Sequence, residues 1–274
     1  MRWNFTSQAA ELCGADVLLL SVPKSGCHSL RTFLDAYYTL KTGWPFIGDI
    51  TQRGVPGVPR IVYSHDRFQQ RTRATLRDRM LGTYLVPGEL TRRAPIVLLV
   101  RNPRDVFRAY AAELKGKDPA VPQHIGRMSS DALMRHPRYG ISAIVEVMNA
   151  WLNEFGHRED FNIMRYEDFV CDPATSFRDL LEVIGETKSS LAAFCEALSF
   201  WEVMGAPKQR DENGQADSES LHPANKGNGC PSPLPEDDDY LTAACARLDP
   251  QFGYIARPEK AGSTPENALI SSAA

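Results

Sequence analysis

The sequence predicts an α/β fold: one domain on a central parallel β-sheet flanked by helices, with a P-loop-like, phosphate-binding strand-loop-helix at its start. Three observations carry that expectation. Short apolar runs recur without polar–apolar alternation, as in strands covered on both faces. Stretches with apolar residues at helical spacing separate them, the arrangement that gives parallel pairing through crossovers. Basic and polar residues gather just beyond the ends of the runs, where open α/β sheets bind ligands.

The chain has 274 residues, long enough for one large core. Its 43% hydrophobic and 24% charged content is that of an ordinary globular protein. A formal net charge of −3 provides no basic field to draw it to nucleic acid or a membrane surface. Six cysteines, at positions 13, 27, 171, 195, 230 and 245, show no Cys-x-x-Cys pair and no metal-ligand spacing. Cys195 and Cys245 fall on apolar helix stripes and read as small core residues. Scattered cysteines and the absence of an apolar leader in Met1–Asp16 give the expectation of a cytoplasmic protein without metal. The expected organisation is an extension over 1–15, a domain over 16–257 and a tail over 258–274.

The first element sets the pattern. Val17 to Val22 is a continuous apolar run interrupted only by Ser21, and Pro23 ends it by removing a ladder donor. Leu30, Phe33, Leu34 and Tyr37 follow at helical spacing, predicting a helix from about Ser29 to Leu40. Residues 43–59, rich in glycine and proline, read as a surface loop. Arg60 to Ser64 is a second strand, leading into His65. The arginine-rich segment 69–93 reads as a solvated face with a short helix around Leu76, Met80 and Leu81.

Ile96 to Val100 is the third strand and delivers Arg101-Asn102-Pro103-Arg104-Asp105. Pro103 suits the first turn of a helix that buries Val106, Tyr110 and Leu114. Residues 116–139 read as a polar, mobile insert. The clearest helical stripe is Ile141, Ile144, Val145, Met148, Trp151, Leu152 and Phe155. Phe161 to Arg165 is the fourth strand, followed by Tyr166-Glu167-Asp168. Asp172-Pro173 opens another helix, and a further one covers Ser190 to Leu198. Residues 205–239 are polar and read as a long loop. A last helix is expected near Asp238 to Leu248.

The chemistry concentrates at Lys24, Ser25, Gly26, Cys27, His28 and Ser29. A helix N-terminus offers unpaired amides and partial positive charge, and glycine admits a ligand to the backbone. Lys24 adds a full charge, and Ser25 and Ser29 add hydroxyls. The plainer reading is a strand–helix turn with a solvated lysine and Ser29 as cap. The Gly-x4-Gly-Lys-Ser/Thr spacing of a Walker loop is absent.

Taken together, Pro23-Lys24-Ser25-Gly26, Ser64-His65, Arg101 to Asp105 and Tyr166-Glu167-Asp168 resemble, in order, the nucleotide-dependent sulfotransferases of the cytosolic type. The resemblance covers about residues 16–255. It implies 3′-phosphoadenosine 5′-phosphosulfate as co-substrate, a small-molecule acceptor and no metal. By this resemblance residues 24–29 cradle the 5′-phosphosulfate, Lys24 balances charge on the leaving phosphate, and Arg101 holds the 3′-phosphate. His65 becomes the base, with His28 as competitor. Tyr166 and Phe200, the latter within Leu198–Met204, flank the adenine, and Lys226 and Gly227 close over the 3′-phosphate. Segments 116–139 and 205–239 become acceptor gates.

The chain departs from the family pattern at several positions. Ser29 stands for a tryptophan, Tyr63 for a lysine, Ala109 for a serine and Asn225 for an arginine. An ion pair of Arg101 with Asp105 is the structural alternative for Arg101. A donor-binding module without turnover and a phosphoryl-transfer enzyme are the rival functions.

Overall fold

Strand β1 (Val17–Ser21) lies inside a four-stranded parallel sheet, between β2 (Ile61–Ser64) and β3 (Ile96–Val100), with β4 (Phe161–Arg165) beyond β3. The structure is a computed structural model, and it describes residues 14–45, 48–65, 94–115, 123–187, 189–204 and 239–254. In the order β2-β1-β3-β4, the chain leaves β1 to one side for β2 and returns on the other side for β3. The switch point therefore falls between β1 and β3, where ligands bind in open sheets. Register pairs Leu20 with Leu98 and Ser21 with Leu99, so the loops after both strands emerge side by side.

Alternate residues of the central strands feed two cores. Leu18, Leu20, Ile96, Leu98 and Val100 face one; Val17, Leu19, Val97 and Leu99 face the other. The first core is closed by α2 (Pro103–Leu114), α5 (Ile141–Phe155) and α9 (Asp239–Cys245), with Trp151 and Phe107 fully buried. The second is closed by α1 (Cys27–Thr42), α7 (Pro173–Val183) and α8 (Leu191–Met204). There Phe33 stacks on Phe177 with ring centroids 3.8 Å apart. Each fully buried side chain of this size contributes about 1.5–3 kcal/mol.

Local chemistry sets the helix ends. Gly43 takes the left-handed conformation (φ 73°) that stops α1 and donates its N–H to the Thr39 carbonyl. Asn102 caps α2 by accepting from the Arg104 N–H, and Pro103 supplies the first turn. Asp172 and Pro173 do the same for α7. Among the described residues, no helix is long and apolar enough to cross a membrane.

Several expectations need correction. Helix α1 starts at Cys27, not Ser29, because Gly26 serves as its N-cap. The 43–59 stretch is not merely a surface loop, since Ile50, Thr51 and Val58 are buried and Ile50–Gln52 forms a 3-10 turn. The buried Asp35 carboxylate draws it in. It accepts from the Asp49 N–H (3.0 Å), the Thr51 N–H (3.3 Å) and the Thr51 hydroxyl (2.9 Å).

The described part of the 116–139 insert holds two short helices, α3 (Gln123–Gly126) and α4 (Ser130–Met134). Ile125, Leu133 and Met134 are buried in the first core, so apolar burial outweighs the segment's polar composition. Helix α8 runs on to Met204, and α9 ends at Cys245. Cys195 is exposed and Cys245 only partly buried. The 69–93 segment, residues 205–238 and the tail 258–274 lie outside the described residues.

Candidate active site

The loop after β1 turns on two left-handed residues, Lys24 (φ 70°) and Gly26 (φ 98°). That conformation costs a non-glycine residue about 1–2 kcal/mol, so Lys24 is held in it by its surroundings. Ser25, almost fully buried, donates its N–H to the Val22 carbonyl (3.2 Å) and closes the turn. Gly26 gives α1 no side-chain cap. A helix start of this kind suits an anion. The Lys24 ammonium lies 2.9 Å from Glu113 Oε1, in the last turns of α2.

Arg101 and Tyr166, the latter opening helix α6 (Tyr166–Cys171), complete the crevice. The Arg101 guanidinium donates to the Lys24 carbonyl (3.2 Å) and lies over the Tyr166 ring, 4.5 Å from its centroid. The Tyr166 ring in turn lies so close to Gly26 that an added Cβ there would overlap its Cδ2 and Cε2. Arginine, tyrosine and loop glycine form one stack across the β1/β3 switch point. The alternative partner for Arg101, Asp105, is instead bonded to Arg108 at 3.4 Å. Burial raises the Tyr166 phenol, with the nearby Arg101 charge opposing, so it stays neutral.

His65 stands exposed just beyond β2. Its Nδ1 lies 2.8 Å from the Ser21 carbonyl and 3.3 Å from the Ser21 hydroxyl. A carbonyl only accepts, so Nδ1 carries a proton, and in the neutral ring this leaves the lone pair on Nε2, the tautomer a general base needs. His28, also exposed, lies in the first turn of α1, where its carbonyl accepts from Thr32 (3.0 Å). Cys27 is enclosed by the loop, and burial pushes its thiol up to about 11, with the Ser21 hydrogen bond and Arg31 acting against the rise. Such a thiol is no nucleophile at neutral pH. At Tyr63 the phenol bonds to the Thr51 hydroxyl (3.3 Å), and the Arg31 guanidinium lies 5.7 Å from the ring centroid.

Ser29 and Phe200 are placed differently from one another. Ser29 accepts from the Trp201 indole N–H at 2.8 Å, which ties α8 to the first turn of α1. Phe200, one residue earlier, is half-buried against the second core. Lys226 and Gly227 lie outside the described residues.

Sequence reasoning missed Glu113 as a neighbour of the site, and it met Ser21, Glu167 and Trp201 only as members of longer stretches, without a role of their own. Ser21 alone left a signal, being the polar residue in a strand that is otherwise apolar. Glu113 meets Lys24, Trp201 meets Ser29, and Glu167 meets Asn102 and Tyr254, all through the tertiary fold.

A family model described as "Sulfotransferase domain" matches residues 14–228, a span that includes all four strands and the crevice between β1 and β3. No curated protein matches the chain.

Proposed function

The chain belongs to the sulfotransferase-domain family, and from that premise we propose that it transfers a sulfuryl group from 3′-phosphoadenosine 5′-phosphosulfate to a hydroxyl or amine of a small-molecule acceptor. The observation that carries this reading is the stack of Arg101, Tyr166 and Gly26 at the switch point. It puts a bidentate anion binder and an uncapped helix start at one crevice, as a donor with two separated phosphate groups requires.

The reaction is an in-line displacement. The acceptor oxygen or nitrogen forms a bond to sulfur as the bond from sulfur to the bridging phosphate oxygen breaks. His65 Nε2 takes the acceptor proton. Lys24 and the loop amides stabilise the charge left on the phosphate, so catalysis is positioning and electrostatics. Arg101 holds the 3′-phosphate, Tyr166 borders the adenosine, and Cys27, His28 and Ser29 supply the first turn of the cradle. Phe200, Lys226 and Gly227 complete the donor site. No metal takes part. The domain runs over 16–257 and works in the cytoplasm.

Incubation of the protein with the sulfur-labelled donor and a panel of phenols, alcohols and amines tests this. Label is expected in at least one acceptor, in a reaction lost with Lys24→Ala. Absence of transfer to every member, with the donor intact, would count against the activity.

A further inference from the structure

The two carboxylate oxygens of Glu167 reach two distant parts of the chain. Oε1 accepts the backbone N–H of Asn102 at 2.8 Å, and Oε2 accepts the Tyr254 hydroxyl at 2.5 Å. Asn102 directly follows Arg101 and caps α2. Holding its N–H fixes the peptide plane that joins it to Arg101, and with it the direction in which the guanidinium leaves the backbone.

Tyr254 is itself braced. The Arg165 guanidinium lies 4.7 Å from its ring centroid, and burial beside Glu167 keeps the phenol neutral and donating. The turn that carries it, Pro250–Phe252, is anchored by fully buried Phe252. Asn149 of α5 clasps the preceding chain, donating to the Arg247 carbonyl (2.7 Å) and accepting from the Asp249 N–H (2.9 Å). A second tie comes from α9, where the Thr242 hydroxyl accepts from Arg104 at 2.9 Å. All these C-terminal residues lie beyond 228, where the match to the family ends.

We propose that Glu167, braced by Tyr254, is the positioning residue for Arg101, so that the turn at 250–254 is a working part of the 3′-phosphate subsite. This rests on the donor reading above. A carboxylate beside an anion site repels the ligand. Here both its oxygens are turned onto donors, the Asn102 N–H and the Tyr254 hydroxyl, which fixes the carboxylate in place while leaving its charge intact.

Calorimetric titration of the full chain with 3′-phosphoadenosine 5′-phosphate tests the assignment. Tyr254→Phe removes one hydrogen bond to a charged group and is expected to weaken binding about tenfold, with the melting temperature reported alongside. Glu167→Gln keeps an oxygen for the Asn102 N–H and can donate its amide N–H to the Tyr254 hydroxyl, so it is expected to stay within about twofold of wild type, whereas Glu167→Ala loses both contacts and is expected to bind at least about tenfold more weakly. In an Arg101→Ala background, Tyr254→Phe is expected to cost nothing further, because the residue it positions is gone. An equal loss in both backgrounds, or no loss in the wild-type background, would overturn the assignment and leave the donor reading intact. Failure of the wild-type chain to bind the nucleotide at all would overturn both.

Discussion

Lys24 Nζ and Glu113 Oε1 form an ion pair at 2.9 Å across the mouth of the crevice, linking the loop after β1 to the end of α2. The loop lysine thus has an acidic partner of its own within the fold. The two side chains are 38% and 39% exposed, so solvent screens the pair and its net strength is small. A phosphate group that recruits Lys24 must draw it away from Glu113. Glu113→Gln is therefore expected to tighten 3′-phosphoadenosine 5′-phosphate by up to about fivefold. The gain should shrink as salt is raised. Titration at two ionic strengths checks this; weaker binding by the variant would mean that Glu113 positions Lys24 productively.

Gly26 has no tolerance for a side chain. Its φ of 98° lies in the left-handed region, and the Tyr166 ring fills the space a Cβ would take. Gly26→Ala is expected to lower stability by about 1–3 kcal/mol and to weaken nucleotide binding by displacing the ring under Arg101. Chemical denaturation and titration of the same sample check both parts. A variant with wild-type stability would show that the ring moves aside at no cost.

His65→Asn keeps a side-chain donor for the Ser21 carbonyl but removes the basic nitrogen. Sulfuryl transfer is expected to fall by about 10²–10⁴-fold while nucleotide affinity holds, since in the proposed reaction His65 serves the acceptor and not the donor. A variant that transfers at the wild-type rate would remove His65 from the mechanism and return attention to His28.

Cys27 should resist alkylation. Burial raises its thiol from near 9.0 to about 11, so thiolate is scarce at pH 8. Exposed Cys171 and Cys195 are expected to react with iodoacetamide first, read by mass spectrometry of peptides. The same shift has a sign in stability. The unfolded thiol ionises near 9.0 and the folded one near 11, so the contribution is whole below pH 9 and is lost between pH 9 and 11. Equal labelling of Cys27 and Cys171 at pH 8 would show the loop to be open.

Much of this was legible because the strands are short apolar runs and the site residues follow their ends directly. The joint position of Lys24 and Arg101 follows from parallel pairing of β1 with β3. Less legible was whatever depends on contacts across long stretches of chain. The 43–59 and 116–139 stretches look polar because few residues anchor them, yet Ile50, Ile125 and Leu133 are buried. Glu113 carries no mark that sets it apart from other helix-surface acids, and Trp201 reads as ordinary core until Ser29 is found against its indole. Cys195 shows the opposite failure, an apolar-looking stripe position that faces solvent.

Titration of the wild-type chain and Arg101→Ala with 3′-phosphoadenosine 5′-phosphate, with ATP as comparison, tests the donor site most directly. On the proposed donor reading, saturable binding to the wild-type chain is expected, with a loss of at least about tenfold in the variant and weaker binding of ATP, which lacks the 3′-phosphate assigned to Arg101. Binding of ATP in preference to the bisphosphate, or an unchanged affinity in Arg101→Ala, would contradict it.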